Sequence, residues 1–442
     1  MWSARGVAEA RRQAVLLIHG IGEQRPMDTL RGFVDTVWRR DTDIQNRYAA
    51  ANADAVVWSK PDTVSESFEL RRLTTSSNTA GILTDFFEFY WQHLMQGTTF
   101  GHVIAWAWTL LSRKPSNVPR QLRPAYWLLW LLVAVSAMLA FFALTASAPA
   151  SSRLMSAIAS GLVVPLAGLV VKNVIGDAAR YLHVAPSNVQ CRHAIREAGL
   201  SVLASLHARG YDRIIIVGHS LGSVIGYDIL THAWPLHNDS AQASNTDAMA
   251  ALDRLEQLAA TGNGLAADIQ DAQRRFFNEL VKVGCTWRVT DFLTLGSPLA
   301  HADVLLAGDP ATLALRQRDR EFPTCLPTLE SVTREKIQHQ RFSFEKDKSR
   351  HAPRIPHHAA VFGPTRWTNL YFPCRFIVRG DVVGGPCRRV LGIGINDVAV
   401  STSLRRGFFS HTLYWTMSGD GGDHVRALRN ALDLVDARSM EP

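Results

Sequence analysis

One segment near the middle of the chain carries a residue pattern suited to nucleophilic chemistry. It reads RIIIVGHSLGSVIGY over residues 213–227, so that an apolar run enters a GHSLG turn and leaves it as a helix-like sequence. A serine that attacks a carbonyl carbon must stand on a sharp strand-to-helix turn, where flanking glycines leave room for the crowded backbone. The N-terminus of the helix would then supply N–H groups beside the developing oxyanion. We therefore predict that Ser220 is a nucleophile rather than a structural serine in a tight turn. The supporting residues of this motif are Gly218, His219 and Gly222.

A second motif lies near the N-terminus. The strand-like run AVLLI at residues 14–18 ends in HGIGEQ at residues 19–24. Its position fits a loop that would hold an oxyanion. The alternative is an ordinary turn after a strand, with His19 as a structural histidine before Gly20.

Taken together and in this order, the two motifs resemble those of the α/β-hydrolases. The HGIGEQ string is similar to that of a group of bacterial membrane-associated lipases and hydrolases, and a weaker likeness to the DDHD-type phospholipases is present. The likeness covers roughly residues 14–60, 180–300 and 365–415. It implies an α/β fold with a mostly parallel central sheet flanked by helices. It also implies that the N–H groups of Ile21 and Leu221 form the oxyanion hole.

In this family the serine is followed along the chain by an acidic residue and then by a histidine. We predict that Asp381 is the acid, because it follows the strand-like run FIV at residues 376–378 and precedes a turn rich in glycine. The surrounding sequence, WTNLY and then DVVGGP, resembles the corresponding region of the family. Asp397 and Asp303 remain alternatives.

The predicted general base is His411, which follows the acid within the aromatic segment FFSHTLYW. Its H-x-x-Y-W context also resembles the family pattern. His424 is the alternative, but it reads as the start of a C-terminal helix, where a polar residue is more simply a cap or part of a solvated face.

Composition excludes several other classes of function. The 442 residues carry a net charge of +8, yet no Lys/Arg tract or zinc-finger spacing is present, so we expect no nucleic-acid partner. Five cysteines are scattered without a C-x-x-C pair, which is typical of a reducing compartment. The histidines of HAPRIPHH at residues 351–358 match no standard zinc spacing, so we expect neither a metal nor another cofactor.

Two uncharged segments suggest a membrane anchor. Residues 126–144 form an uncharged run that as a helix would cover about 28 Å, close to the hydrocarbon core of a bilayer. Residues 154–171 form a second run, and basic residues flank the pair on its outer sides. We therefore predict a transmembrane hairpin with both ends in the cytoplasm, against the alternative of buried helices in a soluble lid. The Trp-rich stretch at residues 100–111 would lie in the membrane interface.

These features predict an α/β-hydrolase domain formed by residues 1–99 and 181–442, with a membrane insertion at residues 100–180. Cap insertions are expected at about residues 231–283 and 305–366. The predicted protein is a serine hydrolase at the inner membrane, facing the cytoplasm, that cleaves a lipid or another acyl ester through an acyl-enzyme. The alternatives are a catalytically silent membrane scaffold, or an amidase or thioesterase with the same triad. The sequence indicates no oligomeric state.

Overall fold

The computed structural model of the protein describes 14 stretches of the chain. They are residues 11–21, 25–65, 69–77, 81–95, 115, 123–144, 181, 186–334, 336–347, 352–374, 380–381, 383–401, 410–417 and 422–435. The chain divides into two compact units. One comprises Met1–Gly20, Gln24–Tyr90 and Ile195–Pro442, and the other comprises Ile21–Glu23 and Trp91–Ala194.

The strands belong to one large sheet and two small ones. They are β1 (Arg12–Ile18), β2 (Val57–Pro61), β3 (Arg71–Thr75), β4 (Leu83–Phe89), β5 (Arg213–His219), β6 (Val289–Leu295), β7 (Glu330–Arg334), β8 (Ile337–Arg341), β9 (Ser343–Glu345), β10 (Arg354–Pro356), β11 (Arg366–Tyr371) and β12 (Asn396–Ala399). The eight-stranded sheet has the order β12-β11-β6-β5-β1-β4-β3-β2. Pairing is parallel from β12 to β4 and antiparallel from β4 to β2. This is an α/β arrangement with a mixed sheet.

The described residues also form helices. They are α1 (Asp28–Val34), α2 (Thr42–Ala50), α3 (Arg123–Leu144), α4 (Pro186–Ala208), α5 (Leu221–Ala233), α6 (Thr246–Thr261), α7 (Ala266–Lys282), α8 (Ala302–Leu305), α9 (Pro310–Arg318), α10 (Arg388–Leu391) and α11 (Asp423–Leu432). A π-helical turn at Asp35–Arg39 continues α1, and a 3₁₀ turn covers Ser410–Thr412. Strands β5 and β6 are buried along their whole length. Burial along the whole length is typical of parallel strands that are covered on both faces.

The register of the central strands brings their carboxyl ends to one edge of the sheet. Strand β5 lies between β1 and β6, with Ile18 opposite Gly218 and Leu295 opposite His219. The residues that follow these strands are therefore close neighbours. In parallel α/β sheets this edge is where ligands bind.

The last helix is fixed to the opposite end of the sheet by a buried arginine. The Arg213 guanidinium is fully buried and forms an ion pair with Asp291, with 2.8 Å between Nη2 and Oδ2. It also donates to the carbonyl oxygens of Leu432 and Asp433 at the end of α11. Carbonyls at a helix C-terminus carry partial negative charge, so a cation is stabilising there.

The two regions predicted to be cap insertions contact each other through a second buried arginine. Arg354 of β10 pairs with Asp253 and Glu256 of α6, and its Nε donates to Ser343 of β9 at 3.1 Å. Helix α7 packs on α6 and also on β11, where Gln270 donates to Thr368 at 3.0 Å. That these regions cover the active site remains a prediction.

The predicted transmembrane hairpin is wrong. Residues 126–144 lie in helix α3, but no helix in the described part of the chain is both long and apolar enough to cross a membrane. Residues 154–171 and 100–111 lie outside the described residues. The prediction rested on the absence of charge over a run near the lower end of the roughly 17–25 residues that a membrane span needs. Lack of charge is necessary for a span, but by itself does not make one. The predicted location at a membrane is therefore no longer supported by a transmembrane hairpin.

A buried acid in β4 gives the fold a pH dependence. Glu88 is 2% exposed, and its Oε2 accepts a hydrogen bond from Met27 N–H at 2.8 Å, whereas Oε1 has no partner among the described residues. Burial raises the pKa of Glu88 from 4.5 to about 7, against the opposing effect of the Met27 hydrogen bond, and nearby Asp28 raises it further. Between these two pH values the folded protein holds a proton that the unfolded chain releases. The stability contributed by this group therefore falls as pH rises from about 4.5 to about 7.

We expect Glu88→Gln to remove this dependence. Relative to the variant, the wild type should lose about 2 to 3 kcal/mol of unfolding free energy between pH 5 and pH 8, since one pKa unit corresponds to about 1.4 kcal/mol. Urea unfolding of both proteins at the two pH values measures this difference. An equal difference at both pH values would contradict the assignment.

Candidate active site

Ser220 stands on a strained turn between β5 and α5. Its backbone angles are φ 52° and ψ −126°, a conformation that costs a non-glycine residue about 1–3 kcal/mol. Ser220 N–H donates to Leu295 O at 3.0 Å, and Ser223 Oγ donates to Ser220 O at 2.5 Å. Its side chain makes no capping hydrogen bond to the helix. The hydroxyl therefore remains available to another group.

The turn depends on very close packing against the end of β1. A Cβ atom at Gly222 would lie 2.1 Å from Ile18 O, so only glycine fits at this position. A Cβ at Gly20 would lie 2.8 Å from the Cβ of Ser220. The predicted oxyanion turn thus begins directly beside Ser220.

His19 has a structural contact within that turn. It is fully buried, and its Nδ1 lies 2.8 Å from Gly20 O, which can only accept a hydrogen bond. Burial lowers the pKa of His19 to about 4, although the hydrogen bond to Gly20 opposes this shift. The ring is therefore a neutral donor at pH 7.

The His411 imidazole lies between Ser220 and Asp381. Its Nε2 is 2.8 Å from Ser220 Oγ, and its Nδ1 is 3.0 and 2.9 Å from Asp381 Oδ1 and Oδ2. A carboxylate only accepts hydrogen bonds, so Nδ1 carries the proton and Nε2 is free to accept the one on the serine. These contacts have the geometry of a serine nucleophile, its base and an orienting acid.

Hydrogen bonds keep the Asp381 carboxylate ionised although it is buried. Its Oδ1 accepts from the N–H groups of Val383 and Gly384, at 2.8 and 3.0 Å, and its Oδ2 accepts from Tyr414 OH at 2.7 Å. Burial alone would raise the pKa of Asp381. The bond and charge interaction with His411, together with the Gly384 and Tyr414 bonds, instead lower that pKa to about 2.

The alternative acids and base have other contacts. Asp397 accepts from Asn369 Nδ2 at 2.7 Å and from the N–H groups of Cys387 and Arg388 at 2.9 Å, so it caps α10. Asp303 accepts from the N–H of its neighbour in α8. His424 is buried in α11, with Nε2 3.1 Å from a backbone carbonyl.

The structure describes the surroundings of one predicted oxyanion donor, Leu221, more fully than those of the other, Ile21. Leu221 is the first residue of α5, where backbone N–H groups have no partner inside the helix. Ile21 follows Gly20 in the chain, and residues 22–24 lie outside the described residues. The pairing of Ile21 with Leu221 stays a prediction.

Sequence reasoning missed Tyr414, which donates to Asp381 and accepts from Phe372 N–H at 3.2 Å. The available signal was the H-x-x-Y-W context of His411, which entered the prediction only as part of a resemblance.

Comparisons of the chain with protein-family models, with curated proteins and with solved structures gave no match. Across the described ranges, no group of three or more His, Cys, Asp or Glu residues is placed to hold a metal ion. All five cysteines are free thiols. The chemistry available at the site is therefore argued from the contacts of Ser220, His411 and Asp381.

The acid and base need the space left by Gly296, which gives a test of the packing. Gly296 has φ +57°, and a Cβ there would lie 2.6 Å from both Asp381 Oδ2 and Tyr414 Cε2. Gly262 has a similar φ of +67°, but nothing lies within 4 Å of its Cβ position. We expect Gly262→Ala to cost about 1 kcal/mol of unfolding free energy and Gly296→Ala to cost at least twice that. Urea unfolding of the two variants measures both losses, and equal losses would refute the crowding at Gly296.

Proposed function

We propose that the protein is a serine hydrolase of the α/β-hydrolase type that cleaves acyl esters through a covalent acyl-enzyme. The observation that supports this proposal is the unbroken contact chain from Ser220 Oγ through the His411 ring to Asp381, at 2.8 to 3.0 Å. The position of the serine on a strained turn between a buried strand and a helix adds to this support.

In the first half of the reaction, Ser220 Oγ attacks the ester carbonyl carbon while His411 Nε2 takes the hydroxyl proton. The carbonyl π electrons move to its oxygen, which becomes an oxyanion. Asp381 holds Nδ1–H in place and stabilises the imidazolium that forms. The N–H of Leu221, at the start of α5, stabilises the oxyanion.

In the second half, the tetrahedral intermediate collapses and the C–O bond to the leaving alcohol breaks. His411 donates its Nε2 proton to that alcohol, which leaves Ser220 acylated. A water molecule then attacks the acyl carbon while His411 takes its proton. The bond between the acyl carbon and Ser220 Oγ breaks, His411 returns the proton to Oγ, and the carboxylic acid is released. Without a membrane hairpin, no described feature favours a lipid over other acyl esters, so the proposal covers acyl esters as a class.

Labelling by a fluorophosphonate probe tests the catalytic roles. The probe reacts only with an activated serine, so Ser220→Ala should abolish labelling. His411→Gln and Asp381→Asn should slow labelling by about 10³-fold or more, since loss of a triad member typically has effects of this size.

The alternative base, His424, and the alternative acid, Asp397, provide matched control variants. His424→Gln and Asp397→Asn should label at close to the wild-type rate, because neither side chain contacts Ser220 or His411. Circular dichroism would verify that each variant is folded. Persistent labelling of Ser220→Ala, or no labelling of the folded wild type, would refute the proposed function.

Three groups at the site should not contribute to the pH dependence of activity near neutral pH. The pKa of Asp381 is lowered to about 2, that of His219 to about 3 and that of His19 to about 4. These three groups therefore hold fixed charge states between pH 5 and pH 7. We expect log(kcat/KM) for a nitrophenyl ester to have a slope against pH no steeper than one in this range. A slope of two would contradict the fixed charge states.

A further inference from the structure

The residue before the nucleophile contacts the main chain of the base. His219 Nε2 lies 2.8 Å from His411 O, and a carbonyl oxygen only accepts, so His219 carries its proton on Nε2 and donates it. The two imidazole rings lie 5.1 Å apart between centroids, tilted by 34°. The edge of Trp415 packs on the other side at 4.8 Å. The ring of His219 is thus fixed on several sides.

The same ring also lies against the turn that follows β1. A Cβ at Gly20 would be 3.1 Å from His219 Nδ1 and 2.8 Å from Ser220 Cβ. His219 therefore stands where the nucleophile, the oxyanion turn and the base meet. No other described side chain donates to the backbone of His411.

The backbone that carries the base contacts side chains of other elements. His411 lies in a single 3₁₀ turn, Ser410–Thr412, closed by Leu413 N–H to Ser410 O at 3.0 Å. Further along the same segment, Trp415 O accepts a hydrogen bond from Thr36 Oγ1 at 2.6 Å. Among the described residues, His219 is the side chain that donates directly to the His411 main chain.

His219 also remains neutral beside a ring that becomes charged. Burial lowers the pKa of His219 to about 3, and the neighbouring His411 and His19 lower it further, against the effects of the His411 carbonyl and of Asp381. Tyr414, which packs 5.9 Å from the ring, has a pKa raised well above its usual range by burial and by Asp381. A neutral His219 does not repel the imidazolium.

We propose that His219 is a positioning residue of this hydrolase, whose Nε2–H holds the His411 carbonyl and thereby keeps the base in reach of Ser220. The inference rests on the proposed function. Position 219 of the GHSLG turn then has a specific requirement for a hydrogen-bond donor. A misplacement of about 1 Å between reacting groups can cost on the order of 10²-fold in rate.

Two substitutions of similar size separate the hydrogen bond from packing. His219→Gln keeps an N–H donor at nearly the same reach, whereas His219→Leu removes it. We expect His219→Leu to lower kcat on a nitrophenyl ester and the rate of fluorophosphonate labelling by about 10- to 100-fold, with KM changed less than about threefold. His219→Gln should retain both rates within about threefold of the wild type. His219→Met serves as a second variant without a donor if the leucine variant does not fold.

Thr36→Val is the matched control, since it removes a donor to the same segment four residues away from the base. It should change the labelling rate less than threefold. Equal rates for the wild type and His219→Leu, or equal losses in His219→Leu and His219→Gln, would overturn the positioning role while leaving the hydrolase proposal intact. Absence of labelling in the folded wild type would instead remove the proposed function on which the inference rests.

Discussion

The contact between the nucleophile turn and the end of β1 is the constraint on which the site depends. A single added carbon at Gly222 would approach Ile18 O to 2.1 Å, so the turn and the strand are packed at the limit of backbone contact. This packing holds Ser220 at φ 52°, a conformation that a free chain would leave. Because β5 is also paired with β6, through Ser220 N–H to Leu295 O, the strained residue is fixed from both sides. The parallel sheet thus supplies the rigidity that the serine needs.

The charge on Asp381 places a second demand on the fold. A carboxylate at this depth loses the hydration that favours its ionised form, and an unpaired buried charge is costly. Four donors replace the lost water, and they come from the base, from the loop after the acid and from Tyr414. The absence of a side chain at Gly296 leaves the space in which these groups meet. Acid, base and solvation therefore form one assembly rather than independent residues.

The sequence could predict features set by neighbouring residues, but not those set by contacts between residues far apart in the chain. The turn at Ser220 is a local pattern of strand, glycines and helix, and it could be read directly. The preference for Asp381 over Asp397 came from its place after a strand-like run and from a resemblance. Only tertiary contacts show that Asp397 caps a helix. The hydrogen bond from His219 joins residues 192 positions apart, so no local pattern could reveal it. The membrane hairpin was predicted from two uncharged runs and their basic flanks, a pattern that does not include the environment of the helix.

The order of Ser220 and His411 along the chain determines when the site can form during protein synthesis. His411 follows Ser220 by 191 residues, so at about 5–20 residues per second the nucleophile leaves the ribosome roughly 10–40 s before its base exists. During that interval the nascent chain holds a serine without the means to activate it. On the proposed mechanism, reactivity begins only when the segment that carries His411 packs against Ser220. Labelling of Ser220 would then count molecules that contain His411, and a chain interrupted before that residue would be chemically silent.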